Sequence, residues 1–230
     1  MKIGGFQKTT LIDYPGKIAA SIFTVGCNFR CGYCHNPDLI DSRNIILEDG
    51  ANVLKYLEKR KHILEGVVIS GGEPLLQKDL QDFIMQIKNL GFLVKLDTNG
   101  SNPQKLKQLL GRKLVDYVAM DIKNSLTKYD LTTNIKGSSK NIIDSIDLIM
   151  NSRVDYEFRS TILPELHNKK DIEEIGAMIK GAKKMFLQSF RQTITLDKKY
   201  MSKRSFTGEE MEKLKAIILT NVASSEIRHY

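Results

Sequence analysis

A mostly parallel α/β fold is predicted by two features of this chain. Six short apolar runs alternate with six amphipathic stretches, the order expected of a parallel sheet covered by helices. The residues able to do chemistry come directly after the apolar runs, at the strand ends where α/β proteins gather their functional groups.

The elements follow in order. The first strand, AASIFTV at 19–25, runs straight into three cysteines, and a helix is expected over 48–60. The second strand, 66–70, ends on two glycines and precedes a helix over 80–90. Gly91 stands where that helix turns into a third strand, 92–97. Pro103 suits the first position of a helix over 103–110. A fourth strand at 117–122 and a helix at 140–151 come next. The fifth strand, 156–162, carries the polar run YEFRST, and its alternation sets Arg159 on one face, either directed into a barrel or on a solvent-facing edge. A helix at 169–180, a strand at 184–190 and a helix at 207–219 complete the series. Thr207, followed by Glu209 and Glu210, places acid in the last helix's first turn. Residues 221–230 carry no motif and suit an edge strand, a tail or a contact surface. The pattern by itself leaves an open doubly wound sheet and a barrel as equal alternatives.

The 230 residues, 41% hydrophobic, are enough for one core and a single domain spanning 1–230. No run of 18 apolar residues occurs, and the opening MKIGGFQKTTLIDYPGK lacks the apolar region and cleavage site of a signal peptide. A reducing, cytoplasmic location is expected, with no membrane partner. The formal charge is +8. No nucleic-acid motif accompanies it, so nucleic acid is not an expected partner; a solvated basic surface is the first reading, and an acidic electron-donor protein drawn to that surface the second.

Cys27, Cys31 and Cys34, spaced C-x3-C-x2-C in GCNFRCGYCHN, are the chain's three cysteines. On one short loop, three thiolates can converge on three irons of a 4Fe–4S cubane. The fourth iron then has no protein thiolate, and an open coordination position marks a catalytic site. A Cys3His zinc site would need His35 to fold back beside Cys34, and an odd, clustered count does not make a disulfide framework. Further along, Ser70-Gly71-Gly72-Glu73-Pro74 offers unobstructed backbone and an acceptor for a ligand ammonium in Glu73. Asp97-Thr98-Asn99-Gly100 and Met120-Asp121-Ile122-Lys123 place carboxylates at two more strand ends, where turn capping competes with ligand binding as their role. His167 reads as a loop histidine.

The cysteine loop, with Tyr33 in the aromatic position before the last cysteine, resembles the signature of the radical S-adenosylmethionine (SAM) enzymes, and SGGEP resembles their GGEP motif. Segments along the chain, GGFQKTTLIDYPGKIAASIFTVGCNFRCGYCHNP, GFLVKLDTNGSNP, LVDYVAMDIK and KKMFLQSFR, resemble the anaerobic ribonucleoside-triphosphate reductase activating proteins, close to the pyruvate formate-lyase activating enzymes. The resemblance implies a partial (β/α)6 barrel, open on one side. It implies one 4Fe–4S cluster held by Cys27, Cys31 and Cys34, and SAM chelated at the open iron. Tyr33, His35, Gly71, Gly72, Glu73, Asp97, Asn99, Lys123 and Arg159 are then the cofactor-binding set, with Lys123 for the SAM carboxylate and the aspartates organising a monovalent cation. It further implies a one-electron cleavage of SAM to a 5′-deoxyadenosyl radical that takes a hydrogen atom from a glycine of the target enzyme. That glycyl radical enzyme, anaerobic ribonucleotide reductase first, is the expected protein partner. With three cysteines there is no auxiliary cluster, so flavodoxin or ferredoxin is the expected electron donor. The competing readings are an activase of pyruvate formate-lyase type, a radical SAM enzyme acting on a small molecule or RNA, and a non-catalytic iron–sulfur or zinc module.

Overall fold

The computed structural model describes residues 1–40, 43 and 45–229. Eight strands form one sheet, each beside its neighbour in sequence: β1 (Ile3–Thr10), β2 (Ala19–Thr24), β3 (Gly66–Gly71), β4 (Leu93–Thr98), β5 (Tyr117–Asp121), β6 (Asp155–Ile162), β7 (Met185–Ser189) and β8 (Ser225–Arg228). β1 is antiparallel to β2, and every later pair is parallel. The helices are α1 (Gly50–Arg60), α2 (Leu80–Asn89), α3 (Pro103–Gly111), α4 (Tyr129–Thr133), α5 (Ile142–Met150), α6 (Lys169–Met178) and α7 (Gly208–Leu219). The strand order does not return β8 to β1, so this is an open, partial barrel, as the resemblance implies. β2 to β7 match the six expected strands to within a residue or two. β1 and β8 extend that set at its two edges.

Helix signals in the sequence act locally as expected. α2 buries Leu80, Phe83, Ile84 and Ile87, a single helical stripe. Asn168 with Asp171 and Thr207 with Glu210 close capping boxes on α6 and α7. No helix of the described residues is long and apolar enough to cross a membrane.

Alternation along the strands sorts two interiors. One face sends Ile22, Val67, Ile69, Val94, Leu96, Val118 and Met120 into the main core with the helices. On the other face, Ala19, Val68, Tyr117 and Ala119 form a small apolar cluster with Tyr14. Lys95, Asp97, Asp121, Glu157 and Arg159 share that inner side, joined by ion pairs and buried hydrogen bonds. β8 is anchored there: Arg228 donates from Nη1 and Nη2 to the two oxygens of buried Glu157 at 2.8 and 3.0 Å, and its guanidinium lies 3.3 Å from the Phe186 ring centre. The parallel strands β2 to β7 bring their C-terminal ends to one rim, where the cysteine loop, the glycine pair and the aspartates meet.

Candidate active site

The cysteine loop is moored on several sides by backbone hydrogen bonds. Gly26 N–H donates to Leu39 O (2.8 Å), Cys27 N–H to Ile40 O (3.3 Å) and Arg30 N–H to Thr133 O (2.8 Å). A segment at 190–203, beyond β7, straps the loop's second half: Asp197 N–H donates to Gly32 O (2.9 Å) and Leu196 N–H to Cys34 O (3.1 Å). Tyr200 fills the space over Gly32, where an added Cβ would lie 2.4 Å from its ring. His35 stacks on Phe190 (centroids 5.2 Å apart), and its Nδ1 lies 3.0 Å from Thr193 Oγ1 and 3.2 Å from Ile194 O.

The glycine pair is required by close packing as well as by openness. Gly71 has φ +109°, and an added Cβ would stand 2.4 Å from Thr24 N; one on Gly72 would stand 2.2 Å from Gly26 O. The β3 turn thus lies directly against the root of the cysteine loop. Glu73 is fully buried behind it. Its Oε1 accepts from Leu75 N–H (3.1 Å) and Thr98 Oγ1 (2.7 Å), and its Oε2 accepts from Asn99 N–H (2.6 Å). Burial nevertheless pushes its carboxyl up to about 7 against these three donors. Asn99 Nδ2 donates to Asn28 Oδ1 (3.0 Å) and lies 4.0 Å from Cys27 Sγ.

Charged groups make up the inner wall. Arg159 donates from Nε to Asp121 Oδ1 (2.8 Å) and from Nη1 to Asp97 Oδ2 (3.2 Å). Lys123 pairs with Asp121 at 3.0 Å, Lys95 pairs with Asp97, and Ser70 Oγ donates to Asp97 at 3.1 Å. Burial would raise both aspartates, but Arg159 and the lysines outweigh it and hold both below the usual carboxylate range. Burial would lower Lys123, but Asp121 outweighs it and keeps the ammonium charged. At the cavity itself two cations, Lys123 and Arg159, meet two carboxylates, Asp97 and Asp121, and Lys123, held by one carboxylate oxygen alone, is the cation best placed to meet an anionic ligand group. His167, buried, places Nε2 2.9 Å from Lys123 O and accepts Leu163 N–H at Nδ1 (3.4 Å), so it fixes the turn that carries Lys123.

All of the site residues expected from the sequence, except Glu73, line one cavity of about 190 Å³. Ser70, Thr98, Asp121 and Thr161 join its wall. Lys95 supports the wall from the strand behind; its position two residues before Asp97, on the same strand face, was the available sequence signal.

The donor set fits a cluster better than a single ion. The three thiols ring a shared cavity, yet among the described residues no three His, Cys, Asp or Glu side chains converge closely enough to hold one metal ion. A tetrahedral zinc would draw its ligands to one point, and His35 is engaged by the strap. A cubane is ligated at separate corners. Burial pushes the Cys31 thiol up to about 12 and raises Cys27, so near neutral pH a metal must displace those protons.

Known proteins resemble this chain in sequence and in fold. Residues 21–179 match the model of the radical SAM superfamily. A Methanocaldococcus jannaschii protein named as a candidate glycyl-radical enzyme activating enzyme is 34% identical over 86% of this chain and 83% of its own length. The pyruvate formate-lyase-activating enzyme of Clostridium pasteurianum is 32% identical over 78% of this chain and 76% of its own. In fold, the crystal structure of Streptococcus suis SuiB bound to S-adenosylmethionine superposes with a TM-score of 0.67 at 13% identity, over 90% of this chain. This chain spans about half of that protein's length, 48%.

Proposed function

The chain belongs to the radical SAM superfamily, and from that membership we propose that it is an activase that installs a glycyl radical in anaerobic ribonucleoside-triphosphate reductase. The observation that carries the reading is the convergence of three cysteine thiols, a glycine turn and the charged groups Asp97, Asp121, Lys123 and Arg159 on one cavity at the rim of an open sheet. The family implies a 4Fe–4S cluster and SAM, which when bound supply the one-electron chemistry that makes a carbon-centred radical.

In this reading each residue has a limited task. Cys27, Cys31 and Cys34 hold three irons and leave the fourth for SAM. Gly71 and Gly72 present backbone to its amino group, and Lys123, kept charged by Asp121, meets its carboxylate. Tyr33, His35 and Asn99 line the remaining wall, while Glu73 ties the β3 and β4 turns together behind it. Asp97 and Asp121 would organise a monovalent cation only in competition with Arg159, which already bridges them.

The protein target follows from the relatives' names, and a sheet left open between β1 and β8 suits a polypeptide substrate. The reductase follows from LIDYPGK and DTNGSNP in the sequence. LIDYPGK forms the β1–β2 connection at the end of the sheet away from the cavity, so it would serve the frame or a partner contact. One cluster uses all three cysteines, so the electron comes from an external carrier, flavodoxin or ferredoxin.

The test is electron paramagnetic resonance on anaerobic mixtures of reconstituted, reduced protein, SAM and the reductase, with 5′-deoxyadenosine assayed alongside. A stable glycyl-type doublet, lost in Cys31→Ala, is expected. 5′-Deoxyadenosine without the doublet would overturn the target, and neither product from cluster-loaded protein would overturn the activase itself.

A further inference from the structure

Three buried side-chain oxygens among the described residues lack a hydrogen-bond partner: those of Tyr33, Ser160 and Ser225. Of these, Tyr33 alone belongs to the cavity wall. A buried donor without a partner is strongly disfavoured unless something absent from the chain itself satisfies it.

The ring has little freedom to find another partner. Tyr33 is 4% exposed. The residues on both sides of it are strapped, Gly32 O by Asp197 N–H and Cys34 O by Leu196 N–H, and its ring meets that of Tyr200 edge-on, with centroids 6.3 Å apart. Burial keeps the phenol protonated, with Cys31, Lys123, Asp121 and Tyr129 its charged or polar surroundings. None of those groups bonds to the Tyr33 hydroxyl. Lys123 is a donor, Asp121 is held by Lys123 and Arg159, and Tyr129 Oη receives Lys123 N–H at 3.3 Å. Cys31, two residues away on the same loop, carries the sulfur that would join the cluster.

We propose that the Tyr33 hydroxyl donates its hydrogen bond to a sulfur of the bound cluster, at or beside Cys31, and thereby raises the cluster's reduction potential. The proposal rests on the reading of this cavity as a cluster site. Reduction adds negative charge to the sulfurs, so a donor aimed at them stabilises the reduced state more than the oxidised one. Tyr33 is then a positioning and tuning residue, distinct in role from the cysteines that hold the metal.

A redox titration followed by electron paramagnetic resonance on cluster-loaded wild type and Tyr33→Phe, without SAM, tests this. At the wild-type midpoint, the ratio of reduced to oxidised cluster is expected to fall about threefold in Tyr33→Phe, because the ratio reads only the part of the hydrogen bond's contribution that differs between the two states. Should Tyr33→Phe load iron poorly, 3-fluorotyrosine at position 33, a more acidic donor of nearly the same shape, is expected to shift the potential upward. An exchangeable-proton coupling on the reduced wild-type cluster, absent in Tyr33→Phe, is the matching spectroscopic sign. An unchanged potential in both variants overturns the proposal, whatever becomes of SAM affinity. Wild-type protein that takes up no cluster would defeat the reading of the site instead.

Discussion

Glu73 shows how much of a motif's meaning depends on backbone groups. In the sequence, the acid after two glycines presents itself as an acceptor for a ligand; in the fold, both its oxygens are taken by Leu75, Thr98 and Asn99. Those donors include two main-chain N–H groups, which every residue but proline owns, so no spacing in the sequence marks them. The cysteines, by contrast, were legible because their residue type is rare and their spacing is short. Glu73 also carries a pH signature. Its carboxyl rises from an ordinary value of 4.5 to about 7 on folding, so its stabilising contribution is complete below about pH 4.5 and lost as pH climbs through 7. Glu73→Gln cannot ionise. In cluster-free protein, the stability difference should therefore move in the variant's favour by about 2.5 kcal/mol between pH 5 and 8. Thermal melts across that range measure it, and a constant difference would show that ionised Glu73 is not penalised.

At the scale of elements, the six inner strands and their helices could be read because periodicity records burial. β1 could not: IGGFQKTT has two buried ends and a half-exposed or exposed middle, with paired glycines where alternation would show. β8 is four residues long and half-exposed, and depends on Arg228 reaching Glu157. The strap at 190–203 was equally hidden, since main-chain bonds join it to a loop about 160 positions earlier. Its role can be measured. Tyr200→Ala removes the side chain that packs on Gly32 and Tyr33. Iron release from the loaded protein to a chelator should quicken about tenfold, equivalent to about 1.4 kcal/mol of lost packing. The far-ultraviolet circular dichroism spectrum should stay unchanged. Equal release rates would mean that the strap does not hold the metal loop.

For the whole molecule, charge is the property that a partner meets first. The proposed acidic electron carrier should reduce a chain of +8 more slowly as salt screens the attraction. Stopped-flow reduction by flavodoxin is expected to fall about tenfold between 20 and 300 mM salt, a range that brings the screening length below 10 Å, while reduction by small uncharged donors stays level. Rates that ignore salt would remove the electrostatic role. The strand order has a consequence of its own. The sheet is a ring left unfastened along its length, with β1 and β8 as the free ends. At one rim, however, the segment after β7 is buttoned to the loop after β2 by Leu196 and Asp197. That loop carries the three cysteines, so in the proposed function the two main-chain bonds that tie the far edge of the sheet to its near edge also brace the part that would seat the metal. A ring left open along its length is thereby pinned at the one rim where the chemistry would take place.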